Sequence, residues 1–180
     1  MLSGMTLALA GAALSIAHPT DVQQTNVSLP MANALASATM AACHAIGQSA
    51  VVAVVDRGGN LVSLQRGDDV GPHNTVAAQR KAFTALSTKT ATRVLAERAA
   101  ADSMSRNLTT LPELLLLGGG VPVVLNGETI GAVGVAGAGG ALNDERCATE
   151  AISRVVRRWS RKAREDSRSF IMSDTPASSL

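Results

Sequence analysis

The sequence predicts a single α+β domain in which a central five-stranded antiparallel sheet is flanked by helices. Strand-like runs cluster in two groups, Ser49–Gly67 and Leu111–Ala138, with helical segments between them, whereas a parallel α/β chain alternates strand and helix strictly. Each group is broken at a hairpin signal: Gly58, Gly59 and Asn60 in the first, and Asn126 followed by Gly127 in the second. The length, 180 residues, suffices for one well-buried core and is short for two ordinary domains.

Residues 1–17 form an uncharged run of apolar and small residues that stops at His18 and Pro19. The run resembles the apolar region of a secretory signal peptide, with small residues Ser15 and Ala17 placed for cleavage after Ala17. The plain alternative is a buried helix. At this length the run is too short for a comfortable membrane span, and no later segment offers one. Residues 18–28 then read as a polar spacer.

The domain proper is expected over residues 29–162. Its first helix, Leu29–Ile46, carries a stripe of Met31, Leu35, Ala38, Ala42 and Ile46, with Cys43 at the border, His44 opposite and Gly47 as the stop. After the first hairpin come helices over Asn74–Ser87, entered through Pro72, and Thr92–Asp102, capped by Thr92. Leu111–Ala138 reads as three strands. The last helix starts near Asn143, where Asp144 and Glu145 suit the positive end of the helix dipole. Its stripe is Ala148, Ala151, Ile152, Val155 and Trp159, bordered by Cys147, with Arg154, Arg157, Arg158 and Arg161 on another face. From Ala163 the periodicity fades, and residues 163–180 are expected to form a mobile tail.

Composition narrows the function. With 46% hydrophobic residues but two Phe, one Trp and no Tyr, the core is built from small aliphatic side chains. A net charge of +2, with basic residues gathered only toward the C-terminus, gives no reason to expect a nucleic-acid partner. Cys43 and Cys147 match no metal spacing. In an oxidising compartment they are expected to pair across the first and last helices, with Cα atoms about 4.4 to 6.8 Å apart, constraining the unfolded chain by roughly 4 kcal/mol; in the cytoplasm they are small buried hydrophobes.

Catalytic and metal motifs are missing: there is no dinucleotide fingerprint, phosphate loop, G-x-S-x-G elbow or paired-histidine zinc motif. Asp68, Asp69 and His73 offer at most a weak surface ion site. The glycines of "LGGGVP", Gly118, Gly119 and Gly120, either permit close backbone approach or line a pocket floor with exposed amides. The remaining set is His73, Arg80 and Lys81. Imidazole is a good ligand for haem iron, and fixed cations suit propionates or other carboxylates; the opposing reading is a histidine near a helix cap followed by solvated basic residues. Lys81 turns about 100° from Arg80 on a helix, so the two either reach one small site through their long side chains or serve different surfaces.

Taken in order, "VAVVDRGGNL", "GGGVPV", "IGAVGV" and a closing "DE" helix make the chain resemble the GlcG/HbpS-like proteins, haem-binding domains related to the C-terminal domain of PduO-type proteins, over Leu29–Val156. The resemblance implies an antiparallel α+β fold, homo-oligomers from dimers up to octamers, and haem as ligand. It points to the exported branch, where "GPH" precedes an "RRKAYTA"-like helix. Here that helix reads "QRKAFTA", so Gln79 and Phe83 remove one cation and one phenolic hydroxyl; "GAGGALNDE" is a second local departure. The function expected is a non-catalytic haem or tetrapyrrole carrier, scavenger or sensor accessory, periplasmic or secreted, with His73 ligating iron. The alternatives are an enzyme or enzyme accessory for a small carboxylate such as glycolate, an oligomeric scaffold, and a cytoplasmic location.

Overall fold

The computed structural model describes residues 24–173; the run expected to be a signal peptide, with its cleavage point after Ala17, and residues 174–180 lie outside the described residues. In chain order the elements are α1 (Leu29–His44), β1 (Val51–Asp56), β2 (Leu61–Arg66), α2 (His73–Thr88), α3 (Thr92–Ala101), the short α4 (Ser103–Arg106) with a 3-10 turn over Asn107–Thr110, β3 (Gly120–Leu125), β4 (Glu128–Ala136) and α5 (Ala141–Ser173). The sheet runs β2-β1-β4-β3 with every neighbouring pair antiparallel.

Local chemistry sets these boundaries. Ser28 Oγ accepts from Met31 N at 3.4 Å and Pro30 occupies the first turn of α1, while Gly47, at φ 71°, ends it in the left-handed region. In the first hairpin the Asp56 carboxylate accepts from Asn60 N at 2.9 Å. In the second, Asn126 (φ 51°) and Gly127 (φ 83°) both lie in the left-handed region, as a two-residue type I′ turn requires. β1 is an inner strand covered on both faces, so Val51, Val52, Ala53, Val54 and Val55 are all buried. β2, on an edge, leaves Leu61 and Arg66 exposed.

The sheet has four strands, not the five expected. The apolar run Leu114–Leu117 forms no ladder because its backbone is bonded to side chains of the helices it crosses. Leu115 N donates to Thr84 Oγ1 at 2.8 Å, Leu114 O accepts from Arg80 Nη2 at 2.8 Å, and Leu117 O accepts from Thr92 Oγ1 at 2.8 Å. A buried backbone must find partners somewhere, and here α2 and α3 supply them.

The two faces of the sheet are packed differently. On one lie α1 and α5, whose Met31, Leu35, Ala148 and Val155 meet Val52, Val54, Val133 and Val135. Cys43 of α1 and Cys147 of α5 form a disulfide there, their Cα atoms 5.3 Å apart and both residues 1% exposed. On the other face α2 comes very close: a Cβ on Gly134 would sit 2.0 Å from Ala78 O and 2.6 Å from Ala82 N. That approach explains the small residues Ala78, Ala82 and Ala85 against Ala53, Ala132 and Ala136.

α5 begins at Ala141, two residues before the expected start, and continues past Lys162 to Ser173. The boundary expected at Ala163 is not a helix end, because no Gly or Pro occurs between Asn143 and Pro176 to stop it. Replacing Cys43 and Cys147 together by Ala should lower stability by about 4 kcal/mol in non-reducing denaturant melts, since the bridge closes a 104-residue separation; a loss under about 1 kcal/mol would show that the α1–α5 contact does not need the staple.

Candidate functional site

The candidate residues His73, Arg80 and Lys81 share one helix, α2, yet its geometry sends them to different surroundings. Lys81 points at the sheet and is 1% exposed. Its Nζ donates to Val135 O at 2.9 Å and to Asp144 Oδ2 at 2.8 Å, and Asp144 Oδ1 accepts from Ala138 N at 2.8 Å. A charge this deep is tolerable only because its partner is charged and both heads are hydrogen-bonded. Lys81 is therefore a bolt between α2, the end of β4 and the start of α5, and cannot serve as the ligand-facing cation expected from the sequence.

Gly118, Gly119 and Gly120, the glycines singled out from the sequence, pack tightly in this part of the fold. All three are buried. A Cβ on Gly119 would lie 2.5 Å from Val135 O and 3.1 Å from Lys81 Nζ, and one on Gly120 would lie 2.2 Å from Lys81 O. Two of their backbone groups are engaged as well: Gly120 N donates to Thr92 Oγ1 at 2.8 Å, and Gly119 O accepts from Val135 N at 2.9 Å. Gly119 and Gly120 make room for the Lys81 bolt, while Gly118 packs against Ala141 and Arg93.

The opposite side of α2 has another character. At about 100° per residue, His73, Val76, Arg80 and Phe83 fall within an arc of about 80°, making one outward stripe. His73 is exposed at the helix start and Val76 is 58% exposed. His73 stands about 10 Å along the axis from Arg80, at 1.5 Å per residue. Arg80 and Phe83 border a cleft of about 340 Å³ with Val55, Leu61, Gln79 and Glu113. Beyond Phe83 the surface opens into a second hollow of about 480 Å³ bordered by Arg57, Leu86, Lys89 and Thr129. Gly59 allows this: at φ 82° its Cβ would meet Phe83 Cε2 at 2.9 Å, so only glycine lets the ring lie against the hairpin turn.

Arg80 is the group with chemistry left over. Its Nη2 donates to Leu114 O at 2.8 Å, but its buried Nε has no hydrogen-bond partner. An unmatched buried donor costs about 1 to 3 kcal/mol, so the guanidinium is poised to gain from an anionic acceptor. No group of three or more His, Cys, Asp or Glu is arranged to hold a metal among the described residues, so Asp68, Asp69 and His73 do not form the ion site considered from sequence.

For a haem, the stripe offers an imidazole at one end, an aliphatic contact in the middle, and a cation beside an aromatic ring at the other. These are the three kinds of contact the group needs. His73 is not among the residues that border the cleft. The sequence reading missed Leu61 and Glu113 as cleft residues, since neither belongs to a motif. It singled out Gln79 and Phe83 as departures, and both line the cleft.

Residues 27–153 match the family model described as "Haem degrading protein HbpS-like". Protein GlcG of Escherichia coli K12 is 38% identical over 109 residues, covering 61% of this chain and 80% of GlcG. A double-mutant form of Streptomyces reticuli HbpS superposes with a TM-score of 0.71 at 37% identity, covering 80% of this chain and 97% of that one. The PduOC:heme complex does so with a TM-score of 0.64 at 26% identity, covering 70% and 92%.

If Lys81 and Asp144 are a structural pair, Lys81→Met alone should destabilise the protein by about 3 to 5 kcal/mol, because Asp144 is left buried and uncompensated. The double variant Lys81→Met/Asp144→Leu should recover most of that loss in the same denaturant melts. A double variant no more stable than the single one would contradict the pairing.

Proposed function

The chain belongs to the HbpS-like family, and on that premise we propose that it is a non-catalytic binding protein for haem or a related tetrapyrrole, acting as a carrier, scavenger or sensor accessory. The observation that carries this reading is the outward stripe of α2, where His73, Val76, Arg80 and Phe83 align beside a cleft whose guanidinium has an unmatched buried nitrogen. In this reading His73 ligates the iron, Arg80 meets a propionate with charge-assisted hydrogen bonds, and Phe83 and Val76 flank the macrocycle. The bound haem supplies the iron chemistry; the chain holds and orients it.

The stripe is open on a single subunit, and Val76 and Leu61, 58% and 47% exposed, leave apolar surface around it. We place a second copy over that surface, which makes the working form a homo-oligomer. The Cys43–Cys147 disulfide supports an exported protein in an oxidising compartment.

One specific feature favours a second reading. The residues bordering the cleft include no His, Met, Cys or Tyr, so the cleft alone suits a small carboxylate such as glycolate better than a haem iron. Isothermal titration with glycolate measures that alternative directly.

Haemin titrated into the pure protein should give a shifted, saturating Soret band. His73→Ala should move the band and weaken binding, while Arg80→Ala should weaken it about 10-fold or more with the band unmoved, as loss of a charge-assisted hydrogen bond implies. Wild-type spectra and affinities in both variants would remove the stripe from the site, and a band that bleaches on adding ascorbate would replace carriage by turnover.

A further inference from the structure

We propose that the C-terminal half of α5 is a docking arm for the anionic surface of a phospholipid membrane. Residues 154–168 hold seven cations and two acids, which leaves nine cations against twelve acids in the rest of the chain. The body is thus net anionic and the arm strongly cationic, an asymmetry that turns this one element toward a negative surface. Arg154, Arg157, Arg158, Arg161, Lys162 and Arg164 are all exposed. On a helix they fall within an arc of about 160°, and the opposite side carries Val155 and Trp159, which are packed against the core.

The usual reasons for a charged helix face do not account for this one. Exposed cations are ordinarily matched by a carboxylate four residues away, as Arg93 is by Glu97 and Arg154 by Glu150, both at 2.6 Å. Arg157, Arg158 and Arg161 have no such ion pair among the described residues. Complementing the helix dipole explains cations only in the last turn, whereas Arg161 lies about three turns before Ser173. The family match also ends at residue 153, so the arm is not part of what that match describes.

A lipid surface fits better than a nucleic acid. Among the described residues the cationic face presents no aromatic ring for base stacking, because Trp159 turns to the core. In sequence the arm runs on into Phe170, Ile171 and Met172, residue types that favour the boundary between headgroups and acyl chains when they accompany Lys and Arg. No helix among the described residues is long and apolar enough to cross a membrane, so the contact is with its surface.

The test is flotation of the full chain with vesicles of phosphatidylcholine alone or mixed with phosphatidylglycerol. The expected result is binding to the mixed vesicles only, lost as salt screens the charges. Replacing Arg157, Arg158, Arg161 and Arg164 by Gln should weaken it at least about 100-fold, at roughly tenfold or a little less per cation. Replacing the same four by Lys should preserve it, and circular dichroism and haemin uptake should match wild type in both variants. Equal binding to both vesicle types, indifference to the Gln substitutions, tighter binding to duplex DNA at the same salt, or salt-sensitive self-association without vesicle binding would each overturn the proposal.

Discussion

The ammonium of Lys81 and the carboxylate of Asp144 meet at 2.8 Å with side chains only 2% and 5% exposed, and the rest of the structure is arranged around that contact. Bringing two charges this deep costs several kcal/mol each in lost hydration, on the order that their attraction returns. Its value is positional. Because Nζ also holds Val135 O and the carboxylate also holds Ala138 N, the pair fixes where α2, the end of β4 and the start of α5 come together. A register slip in any of the three would strand a charge in the core.

That constraint accounts for much of the composition. A lysine reaching the sheet from α2 needs the helix backbone close to the strands, and close approach needs glycine and alanine at the contact. Gly134 beneath Ala78 and Ala82, and Gly119 and Gly120 around Lys81, have no space for a Cβ. Large aromatic residues have no place in that layer, and the chain contains only two Phe and one Trp. The inward side of α2 is committed to the fold, and its outward stripe leaves His73 and Val76 exposed. In the proposed function one helix carries a rigid anchor and the binding stripe back to back, an arrangement that would hold the stripe's side chains steady.

The sequence made the element order, both hairpins and the α1–α5 pairing legible because each rests on a local or periodic signal. Glycine after asparagine marked the second turn, and cysteines at the borders of two apolar stripes marked the contact between their helices. The fifth strand was misread because Leu114–Leu117 has the composition of a buried strand, while its backbone partners, Thr84, Arg80 and Thr92, are distant in sequence. The sequence separated Arg80 from Lys81 by helix geometry but did not give Lys81 its role. A signal was present: Lys81 stands in the stripe Ala78, Ala82 and Ala85, where only a buried residue belongs. Its partner Asp144 looked like a residue complementing the helix dipole, since nothing local distinguishes that task from a buried pair. The cleft residues Leu61 and Glu113 come from separate loops and strands, and only the folded chain brings them to Arg80.

The central claim is that α2 divides its labour, with Lys81 and the triglycine holding the fold and the stripe from His73 to Phe83 holding the ligand. A crystal structure of the full-length protein grown with haemin tests this most directly. The account predicts electron density for the macrocycle along the outer face of α2, with the iron at His73 Nε2 or Nδ1 and a propionate at the Arg80 guanidinium, and with the Lys81–Asp144 pair intact. Haem seated against Gly118–Gly120, or bound with neither His73 nor Arg80 in contact, would contradict it.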